Sequence, residues 1–133
     1  TIQISVSAKL EAELADLSPE EARDYLKSMG ISETGLDKLI VAGYKLLNLI
    51  TYFTSGEPET RAWTVRNGTM APEAAAVIHS DFERGFIAAE VIPWQDLFAQ
   101  GGWSGARSHG MVRTEGKNYI FKDGDVALFR FNV

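Results

Sequence analysis

Residues 69–92 read TMAPEAAAVIHSDFERGFIAAEVI, and this stretch decides the fold. Pro72 suits the first turn of a helix, where its missing N–H costs little. Apolar residues then recur every four positions as far as Phe82, as they do on one face of a helix. Gly85 ends the helical pattern, and apolar residues alternate over 87–91 as in a strand. The stretch therefore predicts a helix, a turn and a strand.

Upstream of this stretch the sequence predicts a helical hairpin. Residues 18–21, Ser-Pro-Glu-Glu, are typical of a capped helix start, and Gly30 is a typical left-handed terminator. A second helix, amphipathic over three turns, is predicted to begin between residues 32 and 34 and to end near Leu47. Residues 1–6, TIQISV, predict a short strand ahead of both helices.

On both sides of residues 69–92 the residue pattern predicts the strands of a sheet. Residues 95–100 predict one helical turn, and the glycine-rich residues 101–110 predict a flexible connection. The order of elements predicts an α+β chain: a helical hairpin followed by a β-grasp (ubiquitin-like) domain. In that fold one main helix crosses a mixed sheet and the last strand lies inside it. The further strands are predicted from β-branched and aromatic content at residues 49–55, 60–66, 118–121 and 126–133.

Composition excludes several classes of protein. An apolar fraction of 45% is typical of a globular chain, and no apolar run reaches the length of a membrane span. Cysteine is absent, so disulfides and thiolate chemistry are excluded, and a cytoplasmic location without a membrane partner is expected. The net charge of −5 argues against a generally basic nucleic-acid binder.

Catalytic and metal sites are not predicted. His79, Ser80 and Asp81 are the residue types of a hydrolytic triad, but three adjacent side chains do not converge on one substrate atom. His79 has two interpretations: a structural partner of Asp81 or of a backbone carbonyl, which is favoured, and a direct RNA or ligand contact. Two histidines and no cysteine form no recognisable zinc pattern.

Two long segments resemble the C-terminal TGS domain of the YchF family, the Obg-like ATPases. They are residues 46–92, which begin LLNLITYFTSGEPETRAWTVRNG, and residues 115–133, EGKNYIFKDGDVALFRFNV. Residues 75–81, AAVIHSD, are similar to the helix-end motif of TGS domains in general. Residues 4–14, ISVSAKLEAEL, resemble the last nucleotide-binding motif of the family's P-loop domain. The resemblance covers nearly the whole chain.

The resemblance implies a division into residues 1–17, the end of a nucleotide-binding domain; 18–48, a helical connector; and 49–133, a TGS domain. Ser7, Ala8 and Lys9 would then lie beside the purine base. It also implies that a longer parent protein hydrolyses ATP or GTP with Mg²⁺, and the choice between the two nucleotides stays open. The chain contains no G-x-x-x-x-G-K-[ST] sequence, so we expect it to hold no cofactor and to be inactive alone.

The family further implies that the TGS module engages the ribosome or RNA. The alternative is an intramolecular domain that packs against the parent's P-loop domain and gates nucleotide hydrolysis without touching RNA. Self-association of the chain through its exposed helical stripes is a further expectation. RNA binding would use cations and a histidine of the second part of the chain, and the candidates are Arg61, Arg66, His79, Arg84, Arg113 and Lys117.

Overall fold

The structure is a computed structural model that describes all residues from Thr1 to Val133. The chain forms two compact units, Thr1–Leu47 and Asn48–Val133. None of its helices combines the length and the apolar character that crossing a membrane requires.

The first unit contains three helices: α1 (Ala8–Ala15), α2 (Pro19–Ser28) and α3 (Gly35–Leu46). The two helices of the predicted hairpin are therefore confirmed as α2 and α3. The predicted strand at residues 1–6 is wrong, because no strand pairs with this segment and a strand needs a hydrogen-bonded neighbour.

Side chains at the helix starts fix where α2 and α3 begin. The Ser18 hydroxyl accepts from the Glu21 N–H at 3.3 Å, and the Glu21 carboxylate accepts from the Ser18 N–H at 2.9 Å. Thr34 and Asp37 form the same reciprocal pair, with both distances at 3.0 Å. These hydrogen bonds satisfy N–H groups that a helix start leaves without partners.

Gly35 brings α1 and α3 together. Its N–H donates to the Glu11 carboxylate at 2.6 Å. A Cβ atom at this position would lie 2.6 Å from a methyl group of Val6, so only glycine fits without a shift. The first unit thus depends on close polar contacts between its helices.

The second unit is built on a mixed five-stranded sheet in the order β2-β1-β5-β3-β4. The last strand runs parallel to the first and antiparallel to β3, so the predicted mixed sheet with its final strand inside is confirmed. The strands are β1 (Leu49–Ser55), β2 (Thr60–Arg66), β3 (Phe86–Pro93), β4 (Arg113–Glu115) and β5 (Asp125–Phe131).

A single main helix was predicted between β2 and β3, but the structure has two helices there, α4 (Ala71–Ala76) and α5 (Ser80–Arg84). The prediction is wrong in this respect. The break lies at His79, whose backbone is extended at φ −163°. Its ring Nδ1 accepts a hydrogen bond from the Asp81 N–H at 3.1 Å. A histidine that caps the next helix therefore interrupts a continuous apolar pattern.

The glycine-rich segment forms a helix where a flexible connection was predicted. It follows α6 (Trp94–Ala99), which confirms the predicted helical turn, and continues as α7 (Trp103–Ser108). Ala106 is fully buried, which anchors α7 against the sheet. A Cβ atom on Gly105 would lie 2.0 Å from the Gln100 carbonyl oxygen, so glycine here permits close packing.

The strand predicted at residues 118–121 is also wrong. Only one isolated bridge, Met70↔Ile120, involves this segment, and the fourth strand is β4. The segment instead bonds to the start of α4, since the Phe121 N–H donates to the Thr69 carbonyl at 3.0 Å. The fully buried Phe121 ring holds it there.

Two apolar clusters lie in the second unit. The larger one contains Tyr52, Phe121, Phe129 and residues of α4, with the two alanines Ala74 and Ala75 fully buried. The smaller contains Ile92, Val126 and Ala106 of α7. The alternation of strand side chains places the two clusters on opposite faces of the sheet.

Candidate functional site

A groove of about 430 Å³ opens at one end of the second unit. Its volume falls within the range of roughly 300–1,000 Å³ that is usual for ligand sites. β1, β2, β5 and the residues around α5 all contribute to it. We use "the groove" for this cavity, which is lined chiefly by Trp63, Ile78, Phe82, Phe129 and Phe131, with Thr54, Glu59 and Arg61 at its rim.

Aromatic rings give the groove its shape. The rings of Phe82 and Phe131 are stacked with their centroids 4.0 Å apart. The Trp63 indole N–H donates to the Thr54 hydroxyl at 2.9 Å, which orients the indole along the strand. Phe131 keeps 40% of its surface exposed, so the groove presents an apolar edge to solvent. This arrangement suits binding of an apolar group.

One predicted RNA-binding residue lies at the groove. The Arg61 guanidinium stands 5.7 Å from the centre of the Trp63 ring, and its Nε lies 3.2 Å from a Glu59 carboxylate oxygen. Alternation along β2 places Arg61 on the same face as Trp63 and Val65, and both of these pack against the larger apolar cluster. Glu59 already neutralises the Arg61 charge.

His79 and Arg84 lie at the two ends of α5 and share one acidic partner. The Arg84 guanidinium bonds to one carboxylate oxygen of Asp81 at 2.5 Å. The other oxygen lies 3.6 Å from His79 Nδ1. The shorter contact of Nδ1 is the hydrogen bond that it accepts from the Asp81 N–H at 3.1 Å, through which His79 caps α5. This geometry agrees with the favoured interpretation of His79 as a structural partner of Asp81. A role of His79 in RNA binding stays a prediction.

The other candidate cations lie elsewhere on the unit. Arg113 is on the edge strand β4, where it bonds to the Tyr119 hydroxyl and lies 3.6 Å from Glu115. Arg61 is on the opposite edge strand, β2, and the two edge strands are about 19 Å apart across four strand spacings. Arg66 and Lys117 have no ion-pair partner. The structure thus distributes the six candidates around the unit and does not gather them into one patch.

Two further cations converge on one carboxylate. Arg107 of α7 and Arg130 of β5 lie 3.3 and 3.2 Å from the two oxygens of Glu90, whose side chain is 8% exposed. Arg107 also stands 5.5 Å from the Trp103 ring centre. The four-residue spacing of Trp103 and Arg107 was the available signal, but the surrounding glycines hid the helix that gives it meaning.

The pKa values of two tyrosines in the second unit, Tyr52 and Tyr119, are raised above the ordinary value. Burial raises the pKa of Tyr52, whose hydroxyl donates to the Ala74 carbonyl at 2.7 Å. Burial, followed by the hydrogen bond to Asp125, raises the pKa of Tyr119 to about 12. Both hydroxyls therefore stay protonated and act as structural donors.

The predicted base-side residues lie at the start of α1. Ser7 caps this helix, its hydroxyl accepting from the Leu10 N–H at 3.3 Å. Ala8 and Lys9 are exposed in the first turn. Nothing in the first unit tests the nucleotide role of these three residues, which stays a prediction. No group of three or more His, Asp or Glu side chains is placed to hold a metal ion.

These features define the second unit as an α+β module with a mixed sheet and an aromatic groove. Residues 49–132 match the family model YchF-GTPase_C, which is described as a protein of unknown function (DUF933). The match covers well over half of the chain, and the chain belongs to the YchF family.

Relatives of known name agree with this assignment. The chain is 58% identical over 130 residues to the ribosome-binding ATPase YchF of Bacillus subtilis, covering 98% of this chain and 36% of that protein. It is 46% identical over 130 residues to Obg-like ATPase 1 of Gallus gallus, covering 98% and 33%. The solved YchF GTPase of Schizosaccharomyces pombe superimposes with a TM-score of 0.83 at 43% identity, covering 94% and 33%. The chain thus spans about a third of the length of these relatives.

Proposed function

We propose that residues 49–133 form a TGS module through which a P-loop ATPase engages the ribosome, by RNA or by ribosomal protein. The observation that carries this proposal is the family match over residues 49–132, together with relatives named ribosome-binding ATPases. The mixed sheet with its last strand inside is the fold expected of such a module.

Cosedimentation of the whole protein with purified ribosomes tests the proposal. We expect the protein that lacks residues 49–133 to stay in the supernatant, while the intact protein pellets with ribosomes. Equal pelleting of both proteins would refute a role of this unit in ribosome binding.

A salt series distinguishes RNA contacts from protein contacts. Arg66 and Lys117 have no ion-pair partner, so they are the cations most available to phosphate. If either contacts phosphate, Arg66→Gln or Lys117→Gln lowers the slope of log affinity against log salt by about 1. Lys27→Gln, an exposed cation on α2, serves as the matched control and leaves the slope unchanged. Unchanged slopes for all three variants would exclude Arg66 and Lys117 as phosphate contacts.

The arrangement of charge favours a second function, gating of nucleotide hydrolysis inside the parent protein. Three of the candidate cations, Arg61, Arg84 and Arg113, are already paired with Glu59, Asp81 and Glu115. Such pairing leaves little free positive charge for RNA. The test is the ATP turnover of the whole protein without ribosomes, with and without residues 49–133. Equal rates exclude gating.

For the first unit we propose that Ser7, Ala8 and Lys9 border the purine base of ATP or GTP in the parent. The Ser7 hydroxyl accepts from the Leu10 N–H, and the first backbone N–H groups of α1, which a helix start leaves without partners, are the donors that would face a base. Ala8→Pro in the whole protein removes one of these donors, and nucleotide affinity measured by calorimetry is expected to fall. Equal affinities for the variant and the unchanged protein would exclude this N–H as a contact.

A further inference from the structure

Half of the central strand β5 has no neighbour on one side. β5 pairs with β3 along its whole length, from Asp125 to Phe131. Its pairing with β1 is confined to Val126 and Ala127, because β1 ends at Ser55. Residues 128–131 of an interior strand therefore behave as an edge strand on the side where β1 has ended.

The register shows which backbone groups are open. The Trp94 N–H donates to the Gly124 carbonyl at 2.9 Å, and the Asn132 N–H donates to the Gly85 carbonyl at 2.8 Å. Backbone groups alternate in direction along a strand, so the even-numbered residues of β5 face β3 throughout. The N–H and C=O groups of Phe129 and Phe131 consequently face the open side.

Neighbouring groups of β1 do not close this edge. The next carbonyl that β1 would offer to Phe129 is that of Ser55, but the register with β5 stops one residue short of it. That carbonyl accepts the Trp103 indole N–H at 2.9 Å instead. The edge of β5 is therefore left open by the fold itself, because Trp103 of α7, on the opposite face of the sheet, bonds to the carbonyl that Phe129 would use.

The groove lies directly beside this open edge. Leu128, Phe129 and Phe131 of β5 line it together with Trp63. A strand added beside residues 128–131 would direct alternate side chains toward the groove, because side chains alternate between the two faces of a sheet. An extended peptide is therefore the ligand whose backbone and side chains both find partners here.

Charge decides the kind of side chain that fits. At the rim, Arg61 and Glu59 neutralise each other at 3.2 Å. The Arg130 side chain lies on the other face of the sheet, where it is paired with Glu90 at 3.2 Å. A charged side chain that entered the groove would lose its hydration without gaining a partner. An apolar side chain would bury surface against Phe131 and Trp63.

We propose that the open edge of β5 binds a short extended segment of a partner protein, which adds a strand and inserts an uncharged apolar side chain into the groove. The segment that pairs is about four residues, or roughly 13 Å, long. This inference rests on the sheet and the groove alone, and it holds whether or not the unit engages ribosomes.

Amide hydrogen exchange measured by NMR on the full chain tests the proposal. The probe is a capped hexapeptide of alternating valine and threonine. We expect the Phe129 and Phe131 amides to exchange rapidly in the free chain and to slow at least tenfold with saturating peptide. The Leu128 and Arg130 amides, which face β3, are protected in both states. Slow exchange at residues 129 and 131 without peptide, or no change there with peptide, would overturn the proposal.

A modified probe separates strand addition from simple hydrophobic adhesion. Replacing two valines of the hexapeptide by proline removes backbone donors while keeping apolar surface. We expect this peptide to bind at least tenfold more weakly. Equal binding of both peptides would overturn the proposal.

Variants of the chain supply a second comparison. Phe131→Ala removes apolar surface but keeps the backbone N–H, and we expect about fivefold weaker binding of the hexapeptide. Phe131→Pro also removes the N–H that faces the open side, and binding should fall below detection. Phe98→Ala is the control, since Phe98 is 84% exposed and lies on α6, away from the groove. An equal loss of binding in Phe98→Ala would overturn the proposal.

Protein concentration provides the last check. Protection of the Phe129 and Phe131 amides that grows with chain concentration, in the absence of peptide, would assign the edge to a second copy of the chain. That result would overturn the proposal of a partner protein. Exchange that is independent of concentration supports it.

Discussion

The two units of the chain are ordered by different physical means. In the first unit the only buried residue is Gly35, and large apolar side chains such as Leu46, which is 75% exposed, face solvent. In the second unit Tyr52, Phe121, Val91 and Ile92 are fully buried. The first unit is held by helix caps and polar contacts, and the second by burial of apolar surface. Their responses to substitution should differ accordingly.

The largest expected effect is in the core of the second unit. Phe121 is fully buried and packs against the rings of Tyr52, Tyr119 and Phe129. Phe121→Ala should lower the free energy of unfolding by about 3–5 kcal/mol, since it removes buried surface and leaves a cavity. All three tryptophans lie in the second unit, so tryptophan fluorescence during urea unfolding measures that unit alone.

The matched control for this variant is Phe98→Ala, because Phe98 is 84% exposed. It should change stability by less than about 0.5 kcal/mol. Equal losses for the two variants would contradict the assignment of Phe121 to the core.

The next effect concerns one buried hydrogen bond. The Tyr52 hydroxyl donates to the Ala74 carbonyl at 2.7 Å and ties β1 to α4. Tyr52→Phe keeps the ring and removes one of two donors to that carbonyl, which also accepts from the Val77 N–H at 3.3 Å. We therefore expect a loss of about 1 kcal/mol by the same fluorescence measurement. Tyr25→Phe, whose hydroxyl donates to Glu13 within the first unit, should leave the fluorescence midpoint of the second unit unchanged. A neutral Tyr52→Phe would show that water replaces the hydroxyl.

Alkaline pH provides a third test of the second unit. Burial raises the pKa of Tyr52 above its ordinary value, and the pKa of Tyr119 is about 12. Above pH of about 10 the unfolded chain releases these protons while the folded chain keeps them. The free energy of unfolding should therefore fall as pH rises from about 10 to 12, by at most about 1.4 kcal/mol per pH unit for buried Tyr52.

Partly solvated Tyr119 contributes less to this slope. The measurement is the urea midpoint at several pH values, and the control is Tyr52→Phe, which should show a shallower decline. A midpoint that stays constant between pH 10 and 12 would contradict the raised pKa values.

In the first unit the sensitive positions are the helix caps. Ser18→Ala and Thr34→Ala each remove a side-chain acceptor from the start of a helix, and each should cost about 1 kcal/mol. Far-UV circular dichroism measures the loss of helix, and tryptophan fluorescence should not change. Ser28→Ala, at the other end of α2, is the matched control. A shift in the fluorescence transition would show that the two units unfold together.

The contrast between the two units also explains which elements could be predicted from the sequence and which could not. Capping boxes are local, so the starts of α2 and α3 could be read from Ser18 and Thr34. Alternation and β-branched or aromatic content are also local, and they identified β1, β2, β3 and β5. The elements that were predicted wrongly depend on distant contacts. Ala106 makes a helix of a glycine-rich segment by packing on the sheet, and Phe121 holds residues 118–121 against α4.

The candidate site shows the same limit. Residue type identified the cations, but not their carboxylate partners or the strand order that separates Arg61 from Arg113. The groove combines residues from β1, β2, α5 and β5, which are far apart in sequence. The open edge of β5 depends on where β1 stops pairing, and no local pattern encodes that register.

The smallest expected effect is that of replacing an exposed apolar residue of the first unit. Leu39 lies on α3 and is 56% exposed, so Leu39→Gln removes much less buried surface than a core substitution does. The free energy of unfolding should change by less than about 0.5 kcal/mol, as judged by circular dichroism. If the apolar stripe of α3 instead joins two chains, the substitution shifts size-exclusion elution at high concentration toward the monomer. A large loss of helix without a change in elution would show that burial within the first unit matters after all.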